Sequence, residues 1–155
     1  MTQEQYESII EEFDLLADYF VWQIGNCNES MNEEQRLKQF YESEVEPSID
    51  NESEEAKVIA IMQHTDQTYS DAYLDLDRSF KVLTDSEADR LLDDRLDDYL
   101  EDHILSQIPI ELRMYFDSEG WKYDNNSDRG SWLNYVNGYE YDETVNGVTY
   151  YLYNC

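Results

Sequence analysis

The sequence predicts an α+β protein, mainly helical, that closes on a small C-terminal antiparallel β-hairpin or three-stranded sheet. Two observations carry this. Apolar residues recur at helical spacing through most of the first 123 positions, and three of these stretches open on a Ser/Thr-x-x-Glu/Gln capping pair. Near the end, two alternating aromatic and β-branched runs flank Asn146-Gly147, the dipeptide that favours a two-residue hairpin turn. We therefore read one acidic domain over residues 1–155, helical over 1–123 and β-rich over 124–155.

The elements follow in order. Tyr6, Ile9, Ile10, Phe13, Leu16, Ala17, Phe20, Val21 and Ile24 form one stripe, which predicts a single helix from Thr2 to Ile24, capped by Thr2 and Gln5 and stopped by Gly25-Asn26. Ser30 to Val45 reads as a second helix, with Ser30 and Glu33 as its capping pair and Pro47 as its stop. An acidic lead-in from Asp50 brings in a third, carrying Ala56, Val58, Ile59, Ile61 and Met62. A short helix through Tyr69, Tyr73 and Leu76 is followed by an extended Phe80–Leu83. Thr84 with Glu87 opens a long helix to about Ser106, in which His103 falls beside the apolar stripe and is expected to be half-buried. Pro109 starts a short helix, Ile110 to Phe116. The hairpin pairs Val145 with Val148, Glu143 with Tyr150 and Tyr141 with Leu152, giving one mainly apolar face. Because a lone hairpin is marginal, Trp132–Val136 is the candidate third strand. No internal repeat is evident.

Charge bounds the function. Ten basic residues stand against 37 acidic ones, a formal net charge of -27, in a chain 41% hydrophobic and 14% aromatic. Direct nucleic-acid binding and attachment to an anionic membrane are disfavoured, because both need lysine and arginine. There is no apolar run of spanning length and no basic, apolar leader. Cys27 and Cys155 read as free thiols of a cytoplasmic protein. The natural partner is a basic protein surface.

No catalytic set, cofactor motif or metal site is announced. A Gly-rich phosphate loop, Cys-x-x-Cys and His-Glu-x-x-His are absent. Asp124, Asn126 and Asp128 match the first positions of an EF-hand loop, but Arg129 replaces its glycine and Tyr135 its closing glutamate, so they read as a polar turn.

The informative acids are those of the long helix: Asp85, Asp89, Asp93, Asp94, Asp97, Asp98, Glu101 and Asp102. Six like-charged pairs four residues apart cost about 1–3 kcal/mol in an isolated helix, and within the stretch only Arg90 and Arg95 offset them. Four residues advance about 6 Å, so each row repeats its charge at a regular, phosphate-like interval. Over the ~26 Å from Asp85 to Asp102 a duplex carries about 15 charges. The helix offers nine carboxylates over that span. Glu4, Glu7, Glu11, Glu33 and Glu34 are the weaker candidates, from helices that could extend the same surface. Such rows predict a DNA mimic that fills a basic DNA-binding groove. A salt-adapted surface, or an acidic interaction protein using the Tyr-rich hairpin, are the alternatives.

Two segments add a resemblance. Ile108-Pro109-Ile110-Glu111-Leu112-Arg113-Met114-Tyr115-Phe116-Asp117, leading into Trp121-Lys122-Tyr123-Asp124, resembles the C-terminal part of ArdA-type antirestriction proteins, and Val82-Leu83-Thr84-Asp85-Ser86-Glu87-Ala88-Asp89 is similar to a phrase of related phage proteins. The resemblance spans about residues 82–153. The N-terminal half departs from the β-rich opening of that family. What the resemblance implies is a counter-defence protein of a phage or mobile element, acting in the cytoplasm of the infected cell. It would inhibit a restriction or CRISPR effector complex, and the family suggests a homodimer. In that family the proline segment is a helix, the Trp121–Asp124 motif a turn, and an aromatic strand follows.

Overall fold

The computed structural model describes all 155 residues. Seven α-helices and three strands accompany one buried helix, α4 (Glu54–His64). Ser53 caps it by accepting from the Ala56 N–H at 3.1 Å. Ala56, Val58, Ile59, Ala60, Ile61 and Met62 are all buried. A helix apolar on every side belongs at the centre of a protein.

The expected Thr2–Ile24 helix is two: α1 (Gln3–Glu12) and α2 (Leu16–Asn26). Asp14 adopts φ 54°, its N–H donating to Glu11 O at 3.1 Å while the Leu15 N–H donates to Ile10 O at 2.8 Å. This is a Schellman termination with aspartate in the left-handed position usually held by glycine. The break swings α2 out of the stripe, so Phe20, Val21 and Ile24 are exposed. Gln5 does more than cap. Its amide oxygen accepts from Thr2 N at 2.8 Å, and its buried amide nitrogen donates to the carbonyls of Met62 (2.6 Å), Thr65 (3.0 Å) and Gln67 (2.9 Å). Gln5→Ala strands the carbonyl groups that close α4, so chemical denaturation is expected to show a loss of about 2–3 kcal/mol.

α3 (Glu33–Phe40) starts two residues later than expected, its cap being Asn32 rather than Ser30. Asn32 and Gln35 form the capping box, at 2.8 and 2.9 Å. It runs into a π-turn, Tyr41–Val45, and a 3₁₀ turn, Glu46–Ser48. α5 (Tyr69–Asp75) and β1 (Phe80–Thr84) match expectation, as does the Thr84–Glu87 box that opens α6 (Asp85–Tyr99). α6 likewise passes into a π-turn, Leu100–Ile104, and a 3₁₀ turn, Leu105–Gln107. Both helices therefore end in the same succession, with Leu37, Phe40, Tyr41 and Val45 in the first and Leu96, Tyr99, Leu100 and Ile104 in the second at equal spacing.

After a 3₁₀ segment, Ile110–Tyr115, the chain forms α7 (Ser118–Asn125) and α8 (Arg129–Leu133) before the hairpin β2 (Tyr141–Val145) and β3 (Val148–Asn154). Three corrections follow. Pro109 is the cap of a 3₁₀ segment, not the first residue of an α-helix. Trp121-Lys122-Tyr123-Asp124 lies inside α7, not in a turn. Trp132–Val136 is no strand, because Asp128 caps α8 through the Ser131 N–H at 3.2 Å and draws Trp132 and Leu133 into helix. The third strand comes from upstream: the sheet order is β1-β3-β2, all antiparallel. Strand structure in the C-terminal part therefore begins only at Tyr141.

The hairpin register is the expected one, Val145↔Val148, Glu143↔Tyr150 and Tyr141↔Leu152. Asn146 at φ 48° and Gly147 at φ 78° make the turn, and the Asn146 amide docks on Ile49 O at 2.9 Å. Alternation splits the sheet between two layers. Val82, Val145, Tyr150 and Leu152 face the core around α4, while Leu83, Tyr151 and Tyr153 face Ala88 of α6 and Leu133 of α8. No helix is long and apolar enough to cross a membrane.

Candidate functional site

α6 lies on the outer side of the sheet with Ala88, Leu92, Leu96 and Leu100 buried beneath it. Its carboxylates divide into two sets with different surroundings.

The first set is Asp85, Asp89, Asp93 and Asp97, the row flanking the buried stripe. Two cations from the next helices pair with it and offset half of its charge. Lys122 of α7 sits between Asp93 (2.5 Å) and Asp97 (2.9 Å). Arg129 of α8 reaches Asp85 (2.9 Å) and Asp89 (2.8 Å) through one amino nitrogen and holds Glu140 through the other two, at 2.7 and 3.1 Å. The guanidinium lies 4.5 Å from the centre of the Tyr151 ring, and Glu140 also accepts from the Tyr153 hydroxyl at 2.7 Å. Hydrogen bonds to Asp93 and Asp97 push the Lys122 pKa up. Burial alone would lower that of Arg129, but Glu140 and Asp85 outweigh it and the net shift is upward. For Glu140, burial acts to raise the pKa and the bonds from Arg129 and Tyr153 prevail, lowering it.

Arg129 thus joins α6, α8, the approach to β2 and β3. Its neighbour Gly130 is buried against the same approach; a Cβ there would come within 2.5 Å of Gly138 O. Asp128-Arg129-Gly130, which read as a polar turn, is the joint of this half of the fold. Its sequence signal was available: Lys122 and Arg129 are the only cations between Arg113 and the C-terminus.

The second set is Asp94, Asp98, Glu101 and Asp102. These face outward or toward the Arg95 side, and no lysine or arginine pairs with any of them. Arg95 instead lies over the Tyr135 ring at 4.7 Å. Asp98 and Asp102 border a shallow depression with Tyr99, His103 and Trp132. His103 is exposed rather than half-buried, its ring 4.7 Å from that of Tyr99. The helical run continues past α6 to Gln107, so Glu101 and Asp102 stand nearest its C-terminal end, where the dipole disfavours negative charge.

Geometry revises the energetics. Lys122 and Arg129, remote in sequence, compensate the like-charged pairs of the first row. Asp94/Asp98 and Asp98/Asp102 gain no ion pair from the packing, and their repulsion amounts to roughly 0.4–1 kcal/mol together. Glu4, Glu7, Glu11, Glu33 and Glu34 are exposed, but α1 and α3 pack on each other and share the core around α4, the opposite layer of the sheet from the cluster that seats the start of α6. Cys27 and Cys155 are free thiols. Asp124 and Asn126 end α7, and Asp128 is spent as a helix cap.

No protein-family model, curated protein or solved structure matches the chain. The fold and surface define it as an acidic α+β protein in which α6 and the π-turn that continues it carry a row of carboxylates without ion pairs.

Proposed function

We propose that the protein is a DNA-mimic inhibitor, a counter-defence protein of a phage or mobile element that occupies the basic DNA-binding groove of a restriction or CRISPR effector complex. One observation carries this reading: Asp94, Asp98, Glu101 and Asp102 make no ion pair on α6 and the π-turn that continues it, a helical run seated by its buried leucines. Four carboxylates over about 12 Å give one charge per ~3 Å, close to the ~3.4 Å per phosphate along one DNA strand. Asp85, Asp89, Asp93 and Asp97 add to the field, since their side chains remain 55–66% exposed while paired. The packed cations hold them in place, so the charged face needs little ordering on binding. No chemistry is required. The inhibitor works by steric block and by release of the groove's own counterions.

The alternative of docking through the Tyr-rich hairpin has less to recommend it, because Tyr150 and Tyr153 are fully buried and Tyr151 lies under Arg129.

Capture from a bacterial lysate tests the proposal. The immobilised protein is expected to retain a DNA-processing enzyme, and both added duplex DNA and moderate salt are expected to release it. Capture indifferent to DNA and salt would refute it.

A further inference from the structure

The outward swing of α2 leaves Leu16, Phe20, Val21 and Ile24 at 56–87% exposure, an apolar ridge on a chain of formal net charge -27. Beside the ridge, between α1, α2 and α3, runs an open groove of about 450 Å³. Its floor is apolar, made by Ile10, Leu16, Tyr19, Phe20 and Leu37. Its rim is wholly anionic, made by Glu7, Glu11, Asp14 and Glu33. The Tyr19 hydroxyl donates to Glu33 at 3.1 Å and fixes one wall. The nearest cation of α3, Arg36, turns back to the Asn28 carbonyl at 3.4 Å, and Lys38 faces Glu42 at 4.0 Å.

We propose that this groove is a docking site for a basic amphipathic helix of a partner protein. Apolar residues of that helix at i, i+4 and i+7 would seat against Leu16 and Phe20, while its lysines or arginines meet the rim. Charge complementarity selects this occupant. A second copy of the chain would set rim against rim with no cation between them, and an anionic lipid surface or a nucleic acid would be repelled. The site is separate from α6, lies across the sheet from it, and stands or falls independently of the DNA-mimic reading. It also gives Glu7, Glu11 and Glu33 a role that their distance from α6 denies them. Because its floor is apolar, binding here survives moderate salt, unlike contact through carboxylates alone.

The experiment titrates the whole protein with a fluorescein-labelled synthetic peptide of leucines and lysines in helical spacing, beside a scrambled peptide of equal composition. The patterned peptide is expected to bind at least tenfold more tightly than the scrambled one and to shift amide resonances of α1, α2 and the start of α3. Leu16→Ser/Phe20→Ser, which leaves charge unchanged and alters exposed positions, is expected to weaken binding at least tenfold. Asp94→Lys/Asp98→Lys is expected to leave it within about twofold. Absence of binding, equal binding of the scrambled peptide, or equal loss in the α6 variant would overturn the proposal. So would sedimentation showing a dimer that Leu16→Ser/Phe20→Ser dissociates, since the ridge would then belong to a second copy.

Discussion

Replacing Asp94, Asp98, Glu101 and Asp102 together by lysine is expected to abolish capture of the partner, weakening affinity by at least about 100-fold, while the domain stays folded. The magnitude follows from the kind of contact. Each charge-assisted bond to a groove lysine or arginine is worth roughly 1.5–3 kcal/mol, and reversal replaces attraction by repulsion. Folding should not suffer, because none of the four has an ion-pair partner to lose. Relief of two like-charged pairs and of the unfavourable helix end is expected to raise the thermal midpoint slightly. Circular dichroism and a competition assay with labelled duplex check both halves.

The largest effect on stability is expected at Arg129. Arg129→Ala leaves Glu140 without its cation in a site where the Glu140 side chain is only 28% exposed, and frees Asp85 and Asp89 to repel each other. The Arg129–Glu140 pair is partly buried, so the cost should fall below the range for a fully buried pair, at about 2–3 kcal/mol by urea denaturation. Arg129→Lys should recover only part of that, because an ammonium cannot span Glu140 and the two aspartates at once. A pH signature accompanies it. The Glu140 pKa is lowered on folding, so its contribution is complete above its ordinary value of 4.5 and is lost as pH falls through the lower folded value. Relative to wild type, Glu140→Gln should therefore show a shallower fall in stability on that acid side. Comparing the two cancels the general relief of charge repulsion as the other carboxylates protonate.

How much of this was legible in the sequence depends on whether the signal was local. The Thr84–Glu87 and Thr2–Gln5 boxes and the Asn146-Gly147 turn concern residues within three positions, and each lies where expected. The break after α1 was hidden because Asp14 accepts a positive φ without the glycine that normally marks one. Trp132–Val136 reads as the candidate strand because a lone hairpin needs a neighbour, yet Asp128 caps α8 through Trp132 and Leu133, and β3 finds its second neighbour in β1.

The acidic rows were legible as rows, but not as two kinds. Lys122 and Arg129 lie outside α6, and only the packing of α7 and α8 shows which four aspartates they hold. The bulk charge points to a basic partner. The row left without cations is what favours one that reads DNA.

The most direct measurement is the salt dependence of affinity for the captured enzyme, compared between wild type and the amide variant Asp94→Asn/Asp98→Asn/Glu101→Gln/Asp102→Asn. If these side chains stand in for phosphates, the wild-type affinity falls steeply with salt. The amide variant, equally folded, binds far more weakly with a much shallower slope. An amide variant with wild-type affinity and slope would contradict the account, and would place the binding face elsewhere on the molecule.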